Sequence, residues 1–144
     1  MGVQRTRIML VDDDPSARFL LRTILGDFPD EFDVVGETGR ASEAVALLHD
    51  TDADVVLLDA MMPLTDGYEL AGHLRRARPG IALVLLTSYV DDEVRERART
   101  AGIDACLDKG EFDEVPRVVR EVVSAGGQAR PQGPSDLLER DDAT

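Results

Sequence analysis

The chain has 144 residues, of which 43% are apolar, and a formal net charge of −13. This length is that of one ordinary domain with one core. Its 16 basic residues are scattered among 29 acidic ones, which argues against nucleic-acid binding. A single cysteine, Cys106, excludes an intrachain disulfide framework and a cysteine-rich zinc site. The segment Met1–Arg7 is too short and polar for a signal peptide, and no apolar stretch approaches the roughly 18 residues of a membrane span. We therefore expect a cytoplasmic protein.

Short apolar runs alternate with segments of helical spacing five times along the chain. The predicted strands are Ile8–Val11, Phe32–Val35, Val55–Leu58, Ile81–Leu86 and Ala105–Leu107. A helix is predicted after each strand; Asp14 is placed to cap the first, and the fourth, Asp91–Ala101, has only a thin apolar stripe and should be the loosest. Five unbroken alternations indicate βαβ units, so we predict an α/β protein whose parallel sheet is covered on both faces.

The composition changes near the C-terminal end of the sequence. Glycine, proline and charged residues dominate Gly126–Thr144, and little in this segment could be buried against a domain. We therefore predict one domain over residues 1–125 and a mobile polar tail or linker over 126–144. The alternative is that Leu137 and Leu138 form a short docking helix.

Polar residues stop four of the five predicted strands. The stops are Asp12-Asp13-Asp14, Asp59, Thr87-Ser88 and Asp108-Lys109. If the strands are parallel, these residues share the carboxyl edge of the sheet, where open α/β sheets bind ligands. Carboxylates suit a hydrated divalent cation, while a hydroxyl and an ammonium suit phosphoryl oxygens. The pattern therefore predicts phosphoryl transfer.

The carboxylates have separable predicted roles. Asp12 and Asp13 beside Asp59 would repel one another without a cation, so these three are the predicted Mg²⁺ ligands. The backbone carbonyl of Met61 is placed by sequence to add another oxygen ligand. Asp59 stands alone after an apolar strand and is the candidate nucleophile, which would attack phosphorus and form an acyl phosphate.

The motifs that carry this chemistry resemble those of a known family. They are Val11-Asp12-Asp13-Asp14, Leu57-Leu58-Asp59-Ala60-Met61-Met62-Pro63-Leu64-Thr65-Asp66-Gly67, Leu85-Leu86-Thr87-Ser88 and Asp108-Lys109-Gly110. From about residue 7 to residue 125 the chain is similar to receiver domains of two-component response regulators, most of all to receivers that precede a helix-turn-helix effector. The resemblance implies a flavodoxin-like, doubly wound sheet of five parallel strands in the order 2-1-3-4-5.

The resemblance also implies the roles of the site residues. Asp59 would accept phosphate from a sensor histidine kinase, Asp12 and Asp13 would support Mg²⁺, and Thr87, with Ser88 beside it, and Lys109 would bond the phosphoryl group. Such a protein is a signalling phosphoacceptor rather than an enzyme, because it carries out only its own phosphorylation and dephosphorylation.

The implied output is a change of one face of the domain. Phosphorylation would switch the face made by the fourth helix, fifth strand and fifth helix, which would control a partner or an effector domain outside this sequence. A phosphorylation-dependent homodimer through that face is a further implied partner. We expect no direct nucleic-acid binding and no membrane contact from this chain.

One position departs from the family pattern. Receivers usually carry an aromatic switch residue three positions before the lysine, and here that position holds Cys106, which we interpret as a small buried core residue. Tyr89 follows Thr87 by two residues. Its ring is predicted either to shield the acyl phosphate and partly replace the missing aromatic, or to be an ordinary half-exposed loop tyrosine.

Two other functions stay open at this point. Asp12-Asp13-Asp14-Pro15-Ser16 also resembles the nucleophile motif of haloacid-dehalogenase-type phosphatases, in which Asp12 would be the nucleophile and Asp14 the general acid. That reading leaves the stretch after Asp59 unexplained, and the chain has no cap insertion. The second alternative is a pseudo-receiver that acts as an interaction module without phosphorylation.

Overall fold

The structure is a computed structural model, which describes residues 4–129. Its central sheet has five strands: β1 (Thr6–Val11), β2 (Phe32–Thr38), β3 (Val55–Asp59), β4 (Ala82–Thr87) and β5 (Ala105–Asp108). The strands are parallel and lie in the order β2-β1-β3-β4-β5. The predicted flavodoxin-like fold and its strand order are confirmed. A separate two-stranded hairpin, which pairs Met61–Met62 with Thr65–Asp66, follows β3.

Within residues 4–129, four helices connect the strands and a fifth follows β5. They are α1 (Pro15–Gly26), α2 (Ala41–Asp50), α3 (Gly67–Ala77), α4 (Asp92–Thr100) and α5 (Val115–Ala129), the last preceded by a 3-10 segment, Lys109–Glu114. Aspartate side chains cap the N-termini of three of them. Asp14, Asp66 and Asp91 accept hydrogen bonds from backbone N–H groups in the first turns of α1, α3 and α4. Within residues 4–129 no helix has the length and apolarity to cross a bilayer.

Both faces of the sheet are covered, as predicted. Successive strand residues point to opposite faces, so Ile8 packs into a cluster with Leu21 of α1 and Val119 of α5. Its neighbour Met9 packs into a second cluster, with Leu48 of α2. Every residue of β3 is buried. The middle strands therefore form a rigid support for whatever their carboxyl ends carry.

The helix α4 is weakly attached to this core. Of its nine residues only Ala98 is buried, because the rest of the helix is mostly charged. The thin apolar stripe predicted from the sequence is therefore confirmed. Few buried apolar contacts are the structural mark of an element that opens at low cost.

Two boundaries differ from the predictions by three residues or more, and the other predicted ends differ by two residues or fewer. β2 continues to Thr38 instead of ending at Val35, because Gly36 through Thr38 pair with Met9 through Val11 after a register shift that skips Val35. α5 continues to Ala129, four residues beyond the predicted domain end at 125. The glycines at its end cost about 1 kcal/mol each in a helix interior, which does not stop a helix anchored by Val118, Val119 and Val122. The rest of the predicted tail, with Leu137 and Leu138, lies outside the described residues.

Candidate functional site

The polar residues that stop the strands meet at the carboxyl edge of the sheet. Asp12 directly follows β1, and Asp59, Thr87 and Asp108 are the last residues of β3, β4 and β5. Thr87 is the register partner of Asp108, and Lys109 begins the 3-10 segment that follows. Because all five strands are parallel, one edge carries the whole predicted set.

Three carboxylates form a cluster at this edge. Oxygen atoms of Asp12, Asp13 and Asp59 all lie within 4.8 Å of one another. Asp12 is fully buried and Asp59 is 4% exposed, whereas Asp13 is exposed. The donors are all oxygens, two of them are largely removed from water, and their charges repel one another. This set is compatible with a hard divalent cation such as Mg²⁺, with Asp13 on the solvent side.

Lys109 lies between the two buried carboxylates. Its Nζ is 2.9 Å from Asp12 Oδ2 and 3.4 Å from Asp59 Oδ1. Burial by itself lowers the pKa of this lysine, but the hydrogen bonds and charges of Asp12 and Asp59 outweigh that effect and raise the pKa overall. The ammonium therefore stays charged and offsets part of the carboxylate repulsion.

The pKa of Asp59 is raised from its ordinary value to about 6. Burial is the largest cause, and the negative charge of Asp12 adds to it, while the N–H of Met61 and the charge of Lys109 act in the opposite direction. Any cation or added donor at this edge would favour the ionised form, which is the form that can attack phosphorus.

Local backbone bonds fix both buried carboxylates. Asp12 Oδ1 accepts a hydrogen bond from the N–H of Asp14 at 2.9 Å, and Asp59 Oδ1 accepts one from the N–H of Met61 at 3.1 Å. Each side chain is thus held by the turn that follows its own strand. These bonds orient the carboxylates before any ligand arrives.

An arginine on α1 supports the same turn from behind. Arg18 Nη1 donates to the backbone carbonyl of Asp12 at 2.5 Å, and Arg18 Nε donates to Glu37 at the end of β2 at 2.8 Å. Neither Arg18 nor Glu37 is predicted as a site residue from the sequence. The only available signal was an arginine one helical turn after Asp14, and surface arginines at such positions are common.

The start of α3 packs directly beneath the site. A Cβ atom on Gly67 would lie 2.6 Å from the backbone oxygen of Asp59 and 2.8 Å from two atoms of Ala60, closer than real side chains allow. The N–H of Gly67 also donates to the carbonyl of Ala60 at 3.0 Å. Only glycine fits where α3 begins so close to the strand end.

The side chain of Thr87 is held less tightly than the carboxylates of Asp12 and Asp59. The Thr87 hydroxyl bonds the backbone of its own loop, accepting from the Tyr89 N–H at 3.5 Å and donating to the Tyr89 carbonyl at 3.4 Å. Both bonds are long. Ser88 is exposed, and Tyr89 is 68% exposed, which fits the loop-tyrosine alternative. Shielding of an acyl phosphate by Tyr89 stays a prediction.

Cys106 is half-buried against the cluster on the α2–α3 face. Burial raises the pKa of its thiol, so the neutral form is favoured. Cys106 was predicted to be a buried core residue, and the structure places it at the margin of the core. An aromatic ring packs against the same cluster, but it comes from α3: Tyr68, whose ring centroid lies 4.2 Å from the Arg97 guanidinium. Arg97 of α4 also bonds Asp66 at 2.7 Å. This link between α3 and α4 is not predictable from the sequence, because nothing in the local pattern of Tyr68 pairs it with α4.

The family model and two curated relatives that match this chain belong to response regulators or their receiver domains. The family model described as the response regulator receiver domain matches residues 8–120. A response regulator receiver protein of Anaeromyxobacter sp. (strain Fw109-5) is 40% identical over 113 residues, which are 78% of this chain and 45% of that protein. The chemotaxis protein CheY of Halobacterium salinarum is 33% identical over 103 residues, 72% of this chain and 83% of that protein.

Solved structures agree with the sequence comparisons. The crystal structure of a LuxR-family two-component response regulator from Aurantimonas sp. SI85-9A1 superimposes with a TM-score of 0.79 and 27% identity, covering 85% of this chain and 87% of that one. The chain spans less than half the length of the Anaeromyxobacter relative and most of the length of the Halobacterium one.

Proposed function

The chain belongs to the response regulator receiver domain family, and from this premise we propose that Asp59 is its phosphoacceptor, which a sensor histidine kinase phosphorylates in the cytoplasm. One observation carries the assignment. Asp59 is a nearly buried carboxylate at the carboxyl edge, and the Nζ of Lys109 lies within 3.4 Å of it while also pairing with Asp12. Asp12 is more deeply buried, and both of its carboxylate oxygens have partners: Oδ1 accepts a hydrogen bond from the N–H of Asp14, and Oδ2 pairs with Lys109.

The proposed reaction is a transfer from phosphohistidine to Asp59. An ionised Asp59 oxygen attacks phosphorus; the new O–P bond forms as the N–P bond of the donor breaks, and the imidazole leaves with the bonding electron pair and takes up a proton. Lys109 is placed to bond phosphoryl oxygens and to offset their charge. Asp12, Asp13, Asp59 and the carbonyl of Met61 would hold Mg²⁺, which when bound offsets negative charge that gathers at the site.

The proposed signal leaves through Thr87. A phosphoryl group carries about two negative charges and strong acceptor oxygens, which attract the Thr87 hydroxyl. The bonds that hold this hydroxyl to Tyr89 are 3.4 and 3.5 Å long, so little is lost when it moves. The loop leads into α4, whose change would alter the α4–β5–α5 face and thereby a partner, a homodimer or an effector domain.

Asp14 caps helix α1, which conflicts with its role as the general acid in the phosphatase alternative. Its carboxylate accepts a hydrogen bond from the N–H of Ser16 at 2.9 Å and begins α1. A general acid would need that group free and near the leaving oxygen. The pseudo-receiver alternative leaves the complete acidic set and Lys109 without a purpose.

One labelling experiment separates the three functions. The protein is incubated with Mg²⁺ and acetyl phosphate, and the modified aspartate is located by peptide mapping. Label on Asp59 supports the receiver, label on Asp12 the phosphatase, and no label the pseudo-receiver. Asp52→Asn is the matched control, because Asp52 is an exposed aspartate that precedes β3 at the other edge of the sheet; this variant should be labelled like the parent.

A further inference from the structure

The two acidic residues of the turn after β1 are held in different ways. Asp12 is buried, and its carboxylate is bonded by the N–H of Asp14 and by Lys109. Asp13 is exposed, and the neighbours of its carboxylate in the cluster are the carboxylates of Asp12 and Asp59, which repel it. The position of the Asp13 side chain therefore depends on how firmly the backbone of its turn is held.

Two neighbouring segments hold that backbone. Arg18 of α1 donates from Nη1 to the carbonyl of Asp12 at 2.5 Å, and this carbonyl belongs to the same peptide unit as the N–H of Asp13. Gly39, directly after β2, lies against the same turn. A β-carbon on Gly39 would be 3.6 Å from both the carbonyl oxygen of Asp12 and the Cα of Asp13. The peptide unit that leads into Asp13 is thus bonded by one segment and packed against by the other.

The guanidinium of Arg18 is itself confined. Its Nε donates to Glu37 Oε1 at 2.8 Å, and the two side chains are only 20% and 30% exposed. A β-carbon on Gly39 would come within 2.9 Å of Arg18 Nη1, so the arginine fills the space that this glycine leaves free. A planar guanidinium with two bonds in a confined space fixes its partner more firmly than a mobile surface side chain does.

Arg18 has two opposite effects on a cation site. Its positive charge lies beside the turn that carries two predicted Mg²⁺ ligands, and charge alone opposes the approach of a cation. Its bond to the backbone favours binding, because it keeps Asp13 in place and reduces the ordering that binding would otherwise require. The sign of the change in Mg²⁺ affinity on removal of Arg18 therefore shows which effect is larger.

Resting on the proposed function, we propose that Arg18 is a positioning residue for the Mg²⁺ site, which acts through the carbonyl of Asp12 on the ligand Asp13. Glu37 keeps the guanidinium aimed at the turn. Residues that orient the ligands of a metal typically change its affinity by about 10- to 100-fold. The charge of a partly exposed arginine is screened by salt, so positioning outweighs repulsion. Arg18 thereby promotes cation binding although it is itself a cation.

Titration of the full chain with MgCl₂, followed by the shifts of its backbone amide NMR signals, tests this role. Arg18→Met keeps the length of the side chain and removes the guanidinium, and we expect Mg²⁺ affinity to fall by about tenfold. In an Asp13→Ala background the same substitution should change the affinity by less than about twofold, because the ligand that Arg18 positions is already gone.

A second variant moves Arg18 without changing any charge. In Gly39→Ala the new β-carbon would meet Arg18 Nη1 at 2.9 Å, and the far end of a long side chain shifts at low cost, so the fold should be retained. Gly102 is the only glycine with positive φ among residues 4–129, so the backbone at position 39 accepts alanine. We expect Mg²⁺ affinity to fall here as well, by less than in Arg18→Met.

The chain offers a matched control for each variant. Arg22 lies one helical turn after Arg18 and donates to the same Glu37 carboxylate at 2.5 Å, but its other contact is with the ring of Phe19. For the glycine, a β-carbon on Gly80 would meet nothing within 4 Å. Arg22→Met and Gly80→Ala should both bind Mg²⁺ like the parent, and circular dichroism checks that all variants fold.

Three results would overturn the proposal. Tighter Mg²⁺ binding by Arg18→Met would mean that its charge outweighs positioning. An unchanged affinity with a lower melting temperature would make Arg18 a purely structural residue. A tenfold fall that persists in the Asp13→Ala background would mean that Arg18 acts on ligands other than Asp13.

Labelling with acetyl phosphate separates this proposal from the function on which it rests. At saturating Mg²⁺, Asp59 should be labelled in Arg18→Met as in the parent, while the Mg²⁺ concentration for half-maximal labelling should rise by about tenfold. Normal labelling with an unshifted half-maximal concentration would contradict only the role of Arg18. If Asp59 is not labelled in the parent, the proposed function fails, and the NMR titration still decides the role of Arg18.

Discussion

The two sides of the site are built differently. On the β1–β3 side, Asp12 and Asp59 are buried and are fixed by backbone bonds of 2.9 and 3.1 Å and by Lys109. On the β4 side, Thr87 is held by bonds of 3.4 and 3.5 Å, and the loop leads into α4, with its single buried residue.

The difference matches the two tasks of the proposed function, phosphoryl transfer and the response to it. Transfer chemistry needs the nucleophile and its charge partners in fixed positions, because small displacements cost much of the rate. A signal needs a segment whose movement gives up little burial. The rigid side therefore suits the reaction, and the loosely packed side suits the response.

The largest expected effect is on the rigid side. Asp59→Asn should abolish acyl-phosphate formation, because the amide cannot act as the nucleophile, while the fold is retained. Labelling with acetyl phosphate and Mg²⁺, with circular dichroism as the check on folding, measures this. If the asparagine protein were labelled as strongly as the parent, Asp59 would not be the acceptor, and the rigid side would not be the site of the reaction.

The pH dependence of stability sharpens the comparison next. The folded-state pKa of Asp59 is about 6, above its ordinary 3.8, so the folded state resists its ionisation. This cost is absent well below about pH 4, grows between about pH 4 and 6, and stays constant at higher pH. The free energy of unfolding of the parent should therefore fall by on the order of 2 kcal/mol relative to that of Asp59→Asn between about pH 4 and 7. Urea denaturation without metal measures the difference. Parallel pH curves for the two proteins would contradict the raised pKa.

Metal affinity distinguishes two neighbouring aspartates. Asp13→Ala should weaken Mg²⁺ binding by about tenfold or more, because one of three clustered carboxylates is lost, with little effect on stability since Asp13 is exposed. Asp14→Ala is the control: it should cost about 1 kcal/mol through loss of the α1 cap and leave Mg²⁺ affinity unchanged. Calorimetric titration tests both. Equal affinities in parent and Asp13→Ala would remove Asp13 from the site.

The smallest expected effect concerns the C-terminal segment. Ending the chain after Ala129 should shift the melting temperature by no more than about 1–2 °C, because residues 130–144 have no patterned apolar face. A fall of several degrees would show that Leu137 and Leu138 dock on the domain. Docking against α4 would weaken the contrast between the two sides.

How far the sequence predicted the molecule depends on whether a feature is local. The strands, the thin α4 and the edge that gathers Asp12, Asp59 and Lys109 were predicted, because apolar runs and polar stops are properties of short segments. The end of β2 was not, since Gly36 through Thr38 join the sheet only by pairing with β1.

Contacts between distant segments could not be predicted from the chain. The support of Asp12 by Arg18 and Glu37, and the stacking of Arg97 on Tyr68, join residues that carry no mutual signal in sequence. The positive φ of Leu64 likewise depends on the hairpin that closes around it.

Hydrogen exchange with and without beryllofluoride and Mg²⁺ tests the central claim most directly, in the parent and in Asp59→Asn, Thr87→Ala and Cys106→Ala. In the parent, changes should concentrate in residues 88–101 and across β5 and α5, with β1 and β3 unaltered. Asp59→Asn should not respond, Thr87→Ala should lose most of the α4 change, and Cys106→Ala should retain it. An equal response in Asp59→Asn, or changes in β1 and β3 as large as those in α4, would contradict the account, and loss of the response in Cys106→Ala would make the thiol part of the switch.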